Sequence, residues 1–249
     1  MIVAGADCSL PIKQSLIDLS RQKLGAAPIV WGRYFNGHGP NDAEYVPGEA
    51  ALFRSANLKL LPIAQQTQKV GKDAAEGAAN ARMNVQKFIK RIGADRLAAN
   101  GTEYLMFLDV EDDDSTGSPA LNADYYTGWS KALVEESRNL SGGRFTIVPG
   151  IYAPRRSNAT WNALRQAEHD GAEPCRAVWI TRCHNDACTN PVPDWNAQHD
   201  FRTPAVAVSA PIACWQYAID CPAGNGVDLN VLTADVADRE TLLSRLIVP

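Results

Sequence analysis

The sequence predicts an α/β fold, a single (β/α)8-type TIM barrel over residues 1–249, regular or irregular in detail. Three observations carry that prediction. Short apolar runs alternate with helix-period segments along the whole chain, the pattern of a parallel sheet with crossover helices. Eight candidate strands fit in 249 residues, a length at which α/β barrels close as one domain. No glycine fingerprint marks an open dinucleotide fold: Gly37-His38-Gly39 lacks a third glycine, and no Walker-type Gly-Lys-Ser/Thr occurs.

Strand one is the apolar run Ile2 to Cys8, and Asp7 lies at its end. Pro11 to Leu24 carries Ile12, Leu16, Ile17, Leu19 and Leu24 in a loose helical period. Pro28 to Phe35 is strand two, followed by the Gly/Asn-rich loop Asn36 to Asp42. Pro47 to Asn57 is a short helix, with Pro47 in its first turn and Glu49 where the macrodipole favours acid. Leu58 to Gln66 is strand three, although Pro62 is awkward in a central strand. Asp73 to Ile92 is an Ala-rich helix closing at Gly93. Tyr104 to Leu108 reads as a strand buried on both faces. Asn122 to Leu140 is a helix with Tyr126, Trp129, Leu133 and Val134 on its core face. Arg144 to Ala153 is strand five, and Asn158 to His169 is the helix after it. Ala177 to Thr181 is strand six. A long polar loop, Arg182 to Arg202, precedes one or two strands, Ala205 to Val208 and Ile212 to Tyr217. Gly226 to Asn230 is the last strand, and Ala237 to Ile247 the closing helix.

Composition narrows the function classes. Hydrophobic content of 45% and charged content of 21% are ordinary globular values. A net charge of −4 provides no positive field for a polyanion, which argues against a nucleic-acid partner. No apolar run approaches the ~18 residues of a membrane span, and Met1 to Gly5 is too short for a signal-peptide core. Localisation stays open between a secreted or cell-envelope protein whose leader was trimmed, a cytoplasmic one, and one exported by a non-classical route. Of the six cysteines, five fall in the final third, at 175, 183, 188, 214 and 221. No Cys-x-x-Cys occurs. Local disulfides such as Cys183–Cys188 or Cys214–Cys221 are one expectation and free buried thiols the other, with Cys8 free. His38, His169, His184 and His199 share no metal-ligand spacing, no Gly-x-Ser-x-Gly elbow is present, and no cofactor or metal is expected.

The chemistry concentrates at Asp109-Val110-Glu111. Side chains alternate along a strand, so the two acids share a side, with Cα atoms roughly 6.6 Å apart at ~3.3 Å per residue. Flexible carboxylates reach glycosidase separations of about 5–9.5 Å from there. A strand that merely meets water also ends in acid, and Asp112-Asp113-Asp114 reads as a solvated loop. The pair gains weight from the other strand ends. Barrel active sites lie at the C-terminal face, where Asp7 ends strand one and Asp228 lies near strand eight, its neighbour in a closed barrel. The four acids are therefore expected at one mouth, with Trp215-Gln216-Tyr217 beside them.

Gly5-Ala6-Asp7-Cys8-Ser9, Phe107-Leu108-Asp109-Val110-Glu111, Gly150-Ile151-Tyr152, Trp215-Gln216-Tyr217 and Val227-Asp228-Leu229-Asn230 resemble, in order, the landmarks of family 25 glycoside hydrolases, the cell-wall muramidases. The pattern is closer to a glycoside-hydrolase-like barrel family of unknown function related to them, which the stretches Leu52 to Ile63 and Gly71 to Ala75 also resemble. The resemblance implies a glycosidase acting on an N-acetylated glycan, peptidoglycan first. It implies Glu111 as the general acid, and Asp109 as the group that holds the N-acetyl substituent or orients water. Asp7 and Asp228 would shape the field and bind substrate. Trp215 and Tyr217 would stack on sugar faces, with Trp215 as barrel core the competing reading, and Gln216, Tyr152 and Arg33 would complete the substrate contacts. Two rival readings use the same residues: a non-catalytic carbohydrate-binding barrel, and a hydrolase whose carboxylates ligate Mg²⁺ or Ca²⁺.

Overall fold

A computed structural model describes residues 3–35, 44–112, 116–181, 188, 203–221 and 226–249. The expected loop Asn36 to Asp42 with His38, the acids Asp113 and Asp114, Cys183-His184, Pro191, Pro193 and His199 lie outside them. Eight strands close a barrel in sequential order: β1 (Ala4–Cys8), β2 (Val30–Tyr34), β3 (Lys59–Gln65), β4 (Glu103–Asp109), β5 (Thr146–Pro154), β6 (Val178–Thr181), β7 (Ile212–Ala218) and β8 (Val227–Leu232). The helices α1 (Gln14–Leu24), α2 (Ala50–Ser55), α3 (Ala74–Ile92), α4 (Ala94–Asn100), α5 (Ala123–Ser141) and α6 (Asn158–His169) connect strands, and α7 (Val236–Ser244) follows the last.

The strands form where the apolar runs predicted them, and their alternation sorts two cores. Val30, Leu61, Ile63, Leu105, Phe107, Val148, Trp179 and Leu232 fill the barrel interior. The intervening residues, among them Trp31, Met106, Leu108, Ile151, Ile180 and Trp215, pack outward in the layer beneath the helices. The helices begin on side-chain caps: Asp73 accepts from the Glu76 N–H at 3.0 Å, and Ser157 from that of Thr160 at 3.2 Å. Between α3 and α5, Gly128 lets one helix backbone rest on the Ala74 carbonyl of the other.

Three expectations need correction. The sheet is not wholly parallel, because β8 runs antiparallel to both β7 and β1. A parallel return needs a crossover of a dozen or more residues, and only residues 219–226 separate β7 from β8, so the chain turns back as a hairpin. The segment Ala205 to Val208 is not a strand. The Ala-rich helix does close at Gly93, at φ 99°, but β4 does not follow at once: a further helix, α4, begins at Ala94. Pro62 does sit within β3, opposite Arg33. No helix among the described residues is long and apolar enough to cross a membrane.

The far end of the barrel is closed by the C-terminal tail. The Leu60 N–H donates to the Ile247 carbonyl at 2.7 Å and the Leu105 N–H to that of Arg245 at 3.1 Å. Arg54 and Arg96 hold the carbonyls of Pro249 and Val248 at 2.9 and 2.8 Å. The opposite end is the mouth, made by the C-terminal ends of β1 to β7 and, because of its reversal, the N-terminal end of β8.

Candidate active site

The alternation that packs the interior also decides what faces the mouth. Above the last apolar layer, each strand contributes one inward polar side chain: Asp7, Tyr34, Gln65, Asp109, Tyr152, Thr181, Gln216 and Asp228. Eight polar groups at the rim of an apolar barrel are costly unless they satisfy one another or a ligand.

Asp7 and Asp228 are direct cross-strand partners on β1 and β8. Gln216 donates to both oxygens of Asp7, at 3.2 and 3.3 Å, and to Asp228 at 3.4 Å. Asn230, two residues along β8, donates to Asp7 at 2.6 Å. The Gln216 carbonyl accepts from the hydroxyls of Tyr152 at 2.7 Å and Thr181 at 3.0 Å, and Trp179 anchors the Asn230 carbonyl at 2.9 Å. These bonds settle which way both amides point, with their NH2 groups on the acids. Burial, then the charge of Asp228, push Asp7 well above the usual carboxylate range, against the two amide donors. Burial raises Asp228 from 3.8 to about 6, although the Asp220 N–H bonds it at 2.7 Å. Facing each other across the β1–β8 pair with both proton affinities raised, the two acids titrate as one unit.

Asp109 has a different environment. It is 2% exposed, and its Oδ1 is buried without a hydrogen-bond partner among the described residues. Burial, then the neighbouring Glu111 charge, raise it well above the usual range. Glu111 lies two residues beyond, past the end of β4, and is exposed. Ser118 donates to its Oε2 at 3.2 Å. Val110 between them is buried in the outer layer, and its N–H extends the ladder to the Tyr152 carbonyl at 2.9 Å. The next residue, Asp112, turns the chain at φ 43° and accepts a hydrogen bond from Ser157. Gly32 is required beside Asp7, its register partner on β1: a Cβ there would stand 2.5 Å from that of Asp7 and 3.3 Å from the Trp179 ring.

The structure thus brings Asp7, Asp109, Glu111, Asp228, Tyr152 and Gln216 to one mouth. Gln216 is 1% exposed and engaged on both ends of its amide, so it orients the acids and offers a substrate no free group. Three expected sugar contacts are elsewhere. Trp215 and Tyr217 flank Gln216 and therefore point outward, 0% and 1% exposed beneath the helices. Arg33 is likewise outward and fully buried. It pairs with Glu49 at 2.9 and 3.2 Å and donates to the carbonyls of Cys8 at 2.9 Å and Glu44 at 3.0 Å. Tyr34 and Gln65 were not among the expected site residues, yet inward phase with Gly32 and Ile63 marks both. Trp179 and Asn230 support the acids from behind.

Among the described residues, no group of three His, Cys, Asp or Glu is arranged to hold a metal ion. Cys188 is disulfide-bonded to Cys221, which replaces both expected local pairings, and Cys8, Cys175 and Cys214 are free and buried. The bridge ties the segment after β6 to the hairpin that carries Asp228.

The fold is shared with several solved structures. An uncharacterized protein of B. stearothermophilus superposes with a TM-score of 0.73 at 21% identity, covering 98% of this chain and 100% of that one. A muramidase from Acremonium alcalophilum gives 0.54 at 16% identity, covering 97% and 99%. The catalytic domain of endolysin ply40, from bacteriophage P40 of Listeria monocytogenes, gives 0.53 at 15%, covering 98% of both. The Tat-secreted protein Rv2525c of Mycobacterium tuberculosis, in complex with L-tartrate, gives 0.52 at 15%, covering 94% and 97%. No curated protein sequence matches significantly. The family described as Rv2525c-like, glycoside hydrolase-like domain matches residues 22–233. That span runs from the last turn of α1 to just past β8, and the chain belongs to this family.

Proposed function

We propose that the protein is a glycoside hydrolase acting on an N-acetylated glycan, peptidoglycan foremost, with Glu111 as the general acid. The observation that carries the reading is the division of labour among four carboxyls at one mouth. Glu111 is the exposed one, where a glycosidic oxygen can reach it. Asp109 beside it is buried and held toward its neutral form, suited to hold an uncharged amide. Asp7 and Asp228, both held by the Gln216 amide, set carboxyl oxygens on one wall of the mouth, which favours the cationic character of an oxocarbenium-like transition state. Glu111 gives its proton to the leaving oxygen as the glycosidic bond breaks and recovers one from the water that completes hydrolysis.

The fold relationship to a muramidase and an endolysin catalytic domain supports the same reading. The rival binding barrel loses its expected aromatic platform with Trp215 and Tyr217 buried. The metal reading is weakened because amide N–H donors occupy the Asp7 oxygens. The test is release of reducing ends from purified peptidoglycan by wild type and Glu111→Gln. Loss of about 100-fold or more is expected for removal of a general acid, and equal rates in the two proteins would refute the assignment.

A further inference from the structure

The mouth is divided in its hydrogen bonding. On the side formed by β5 to β8 and β1, the polar groups answer one another. Tyr152 and Thr181 donate to Gln216, Gln216 and Asn230 donate to Asp7, and Trp179 donates to Asn230. On the side formed by β2 to β4 they do not. The Tyr34 hydroxyl and the Gln65 side-chain amide make no hydrogen bond among the described residues, and the Asp109 Oδ1 is buried without one. Tyr34 and Gln65 are both partly exposed. The three lie on adjacent strands: Gln65 is the register partner of Asp109, and Tyr34 that of Ile63, two residues before Gln65 on the same face.

The complement of this open half follows from its chemistry. It offers two donors, a phenol and an amide NH2, next to a carboxyl with acceptor capacity. Neighbouring strands are about 4.8 Å apart, so the three groups span roughly the width of one sugar ring with its substituent. A hydroxyl substituent supplies a single oxygen. An ammonium supplies donors alone: the Tyr34 and Gln65 oxygens can accept from it, but the phenol O–H and the amide NH2 would stay unanswered. A secondary amide supplies one N–H and one carbonyl oxygen with two lone pairs. Burial and the surrounding acids hold Tyr34 in its phenol form, so it stays a donor.

We propose that Tyr34 and Gln65 are specificity-determining residues which, with Asp109, form the receptor for the substrate's acetamido group, the two donors on its carbonyl and the carboxyl on its N–H. The proposal rests on the glycan reading above and adds to it the residues that read the substituent. A polar group covered by substrate and left unpaired costs far more than a formed hydrogen bond contributes, so the receptor selects for the acetamido group and against its absence.

The experiment compares wild type, Tyr34→Phe and Gln65→Leu on purified peptidoglycan and on the same material chemically N-deacetylated, measuring kcat/KM on each. Isothermal titration of an N-acetylated disaccharide repeat into each protein supplies an affinity independent of turnover. Thermal unfolding confirms that each variant is folded. Wild type should favour the acetylated polymer, and each variant should lose about tenfold on it while holding or gaining on the deacetylated one, where the unanswered donor has been removed. Equal loss on both polymers, or unchanged preference, overturns the receptor and leaves the hydrolase standing. Disaccharide binding without turnover, weakened about tenfold in Tyr34→Phe, keeps the receptor and removes the hydrolase. Neither binding nor turnover in wild type removes both.

Discussion

Asp228→Asn should stabilise this protein at alkaline pH and leave it nearly unchanged in acid. Asp228 has its affinity for the proton raised in the folded state, from 3.8 to about 6, chiefly by burial. The folded chain therefore binds this proton more tightly than the unfolded chain. The stability it contributes is fully present below pH 3.8 and is lost as pH rises through about 6. At 1.36 kcal/mol per tenfold change in proton affinity, the loss reaches about 3 kcal/mol above pH 7. The figure belongs to the Asp7–Asp228 pair, since the two titrate together. An asparagine keeps the neutral shape at every pH and can still accept from the Asp220 N–H. For a chain of this length, ~3 kcal/mol corresponds to a rise in Tm of about 6–12 °C at pH 8. The assay is thermal unfolding of wild type and variant followed by circular dichroism at pH 4 and pH 8. A shift of equal size at both pH values, or a lower Tm for the variant at pH 8, would refute the reasoning. Glycan turnover is expected to fall in the same variant, the usual exchange of function for stability at a site.

Two further outcomes can be measured on the same material. Arg33→Met leaves Glu49 buried at 3% exposure without its ion partner. A loss of about 3–5 kcal/mol is expected by urea unfolding, only partly recovered in Arg33→Met/Glu49→Leu because the Ile12 N–H, which donates to Glu49 at 2.7 Å, stays unpaired, and a single variant within 1 kcal/mol of wild type would show the pair to be dispensable. Cys221→Ser opens a loop of sequence separation 33, for which chain entropy predicts a loss of about 3–4 kcal/mol. Reductant should lower the Tm of wild type to that of the variant, and no response to reductant would contradict the bridge.

The barrel was legible because its strands are apolar runs bounded by polar turns, and the acids because they stand where those runs stop. Asp109 and Glu111 illustrate the limit. Their i, i+2 spacing does place both at the mouth, but spacing carries no depth, and one is buried while the other is exposed. Trp215-Gln216-Tyr217 shows the same limit for faces. Alternation says that Gln216 opposes its two neighbours without saying which side is inward. The polar rim took the glutamine, and the larger rings filled the space under the helices. Arg33 was expected among the substrate contacts, and only the fold shows it paired with Glu49. The direction of β8 was hidden because a six-residue strand pattern reads alike in both directions. Cys188 and Cys221 meet because the barrel sets successive loops side by side, a proximity that nearest-neighbour spacing does not express.

The reversal of β8 also decides where the polypeptide leaves the molecule. A chain that climbed the eighth wall would exit beside the acids. This one descends it, and the tail after α7 is stitched to the early residues of β3 and β4. The start of β1 lies at that same lower pole. A reporter or tether fused at either terminus would trail behind the protein, and the acidic cup could be pressed against an insoluble, sheet-like polymer without the attachment standing between them.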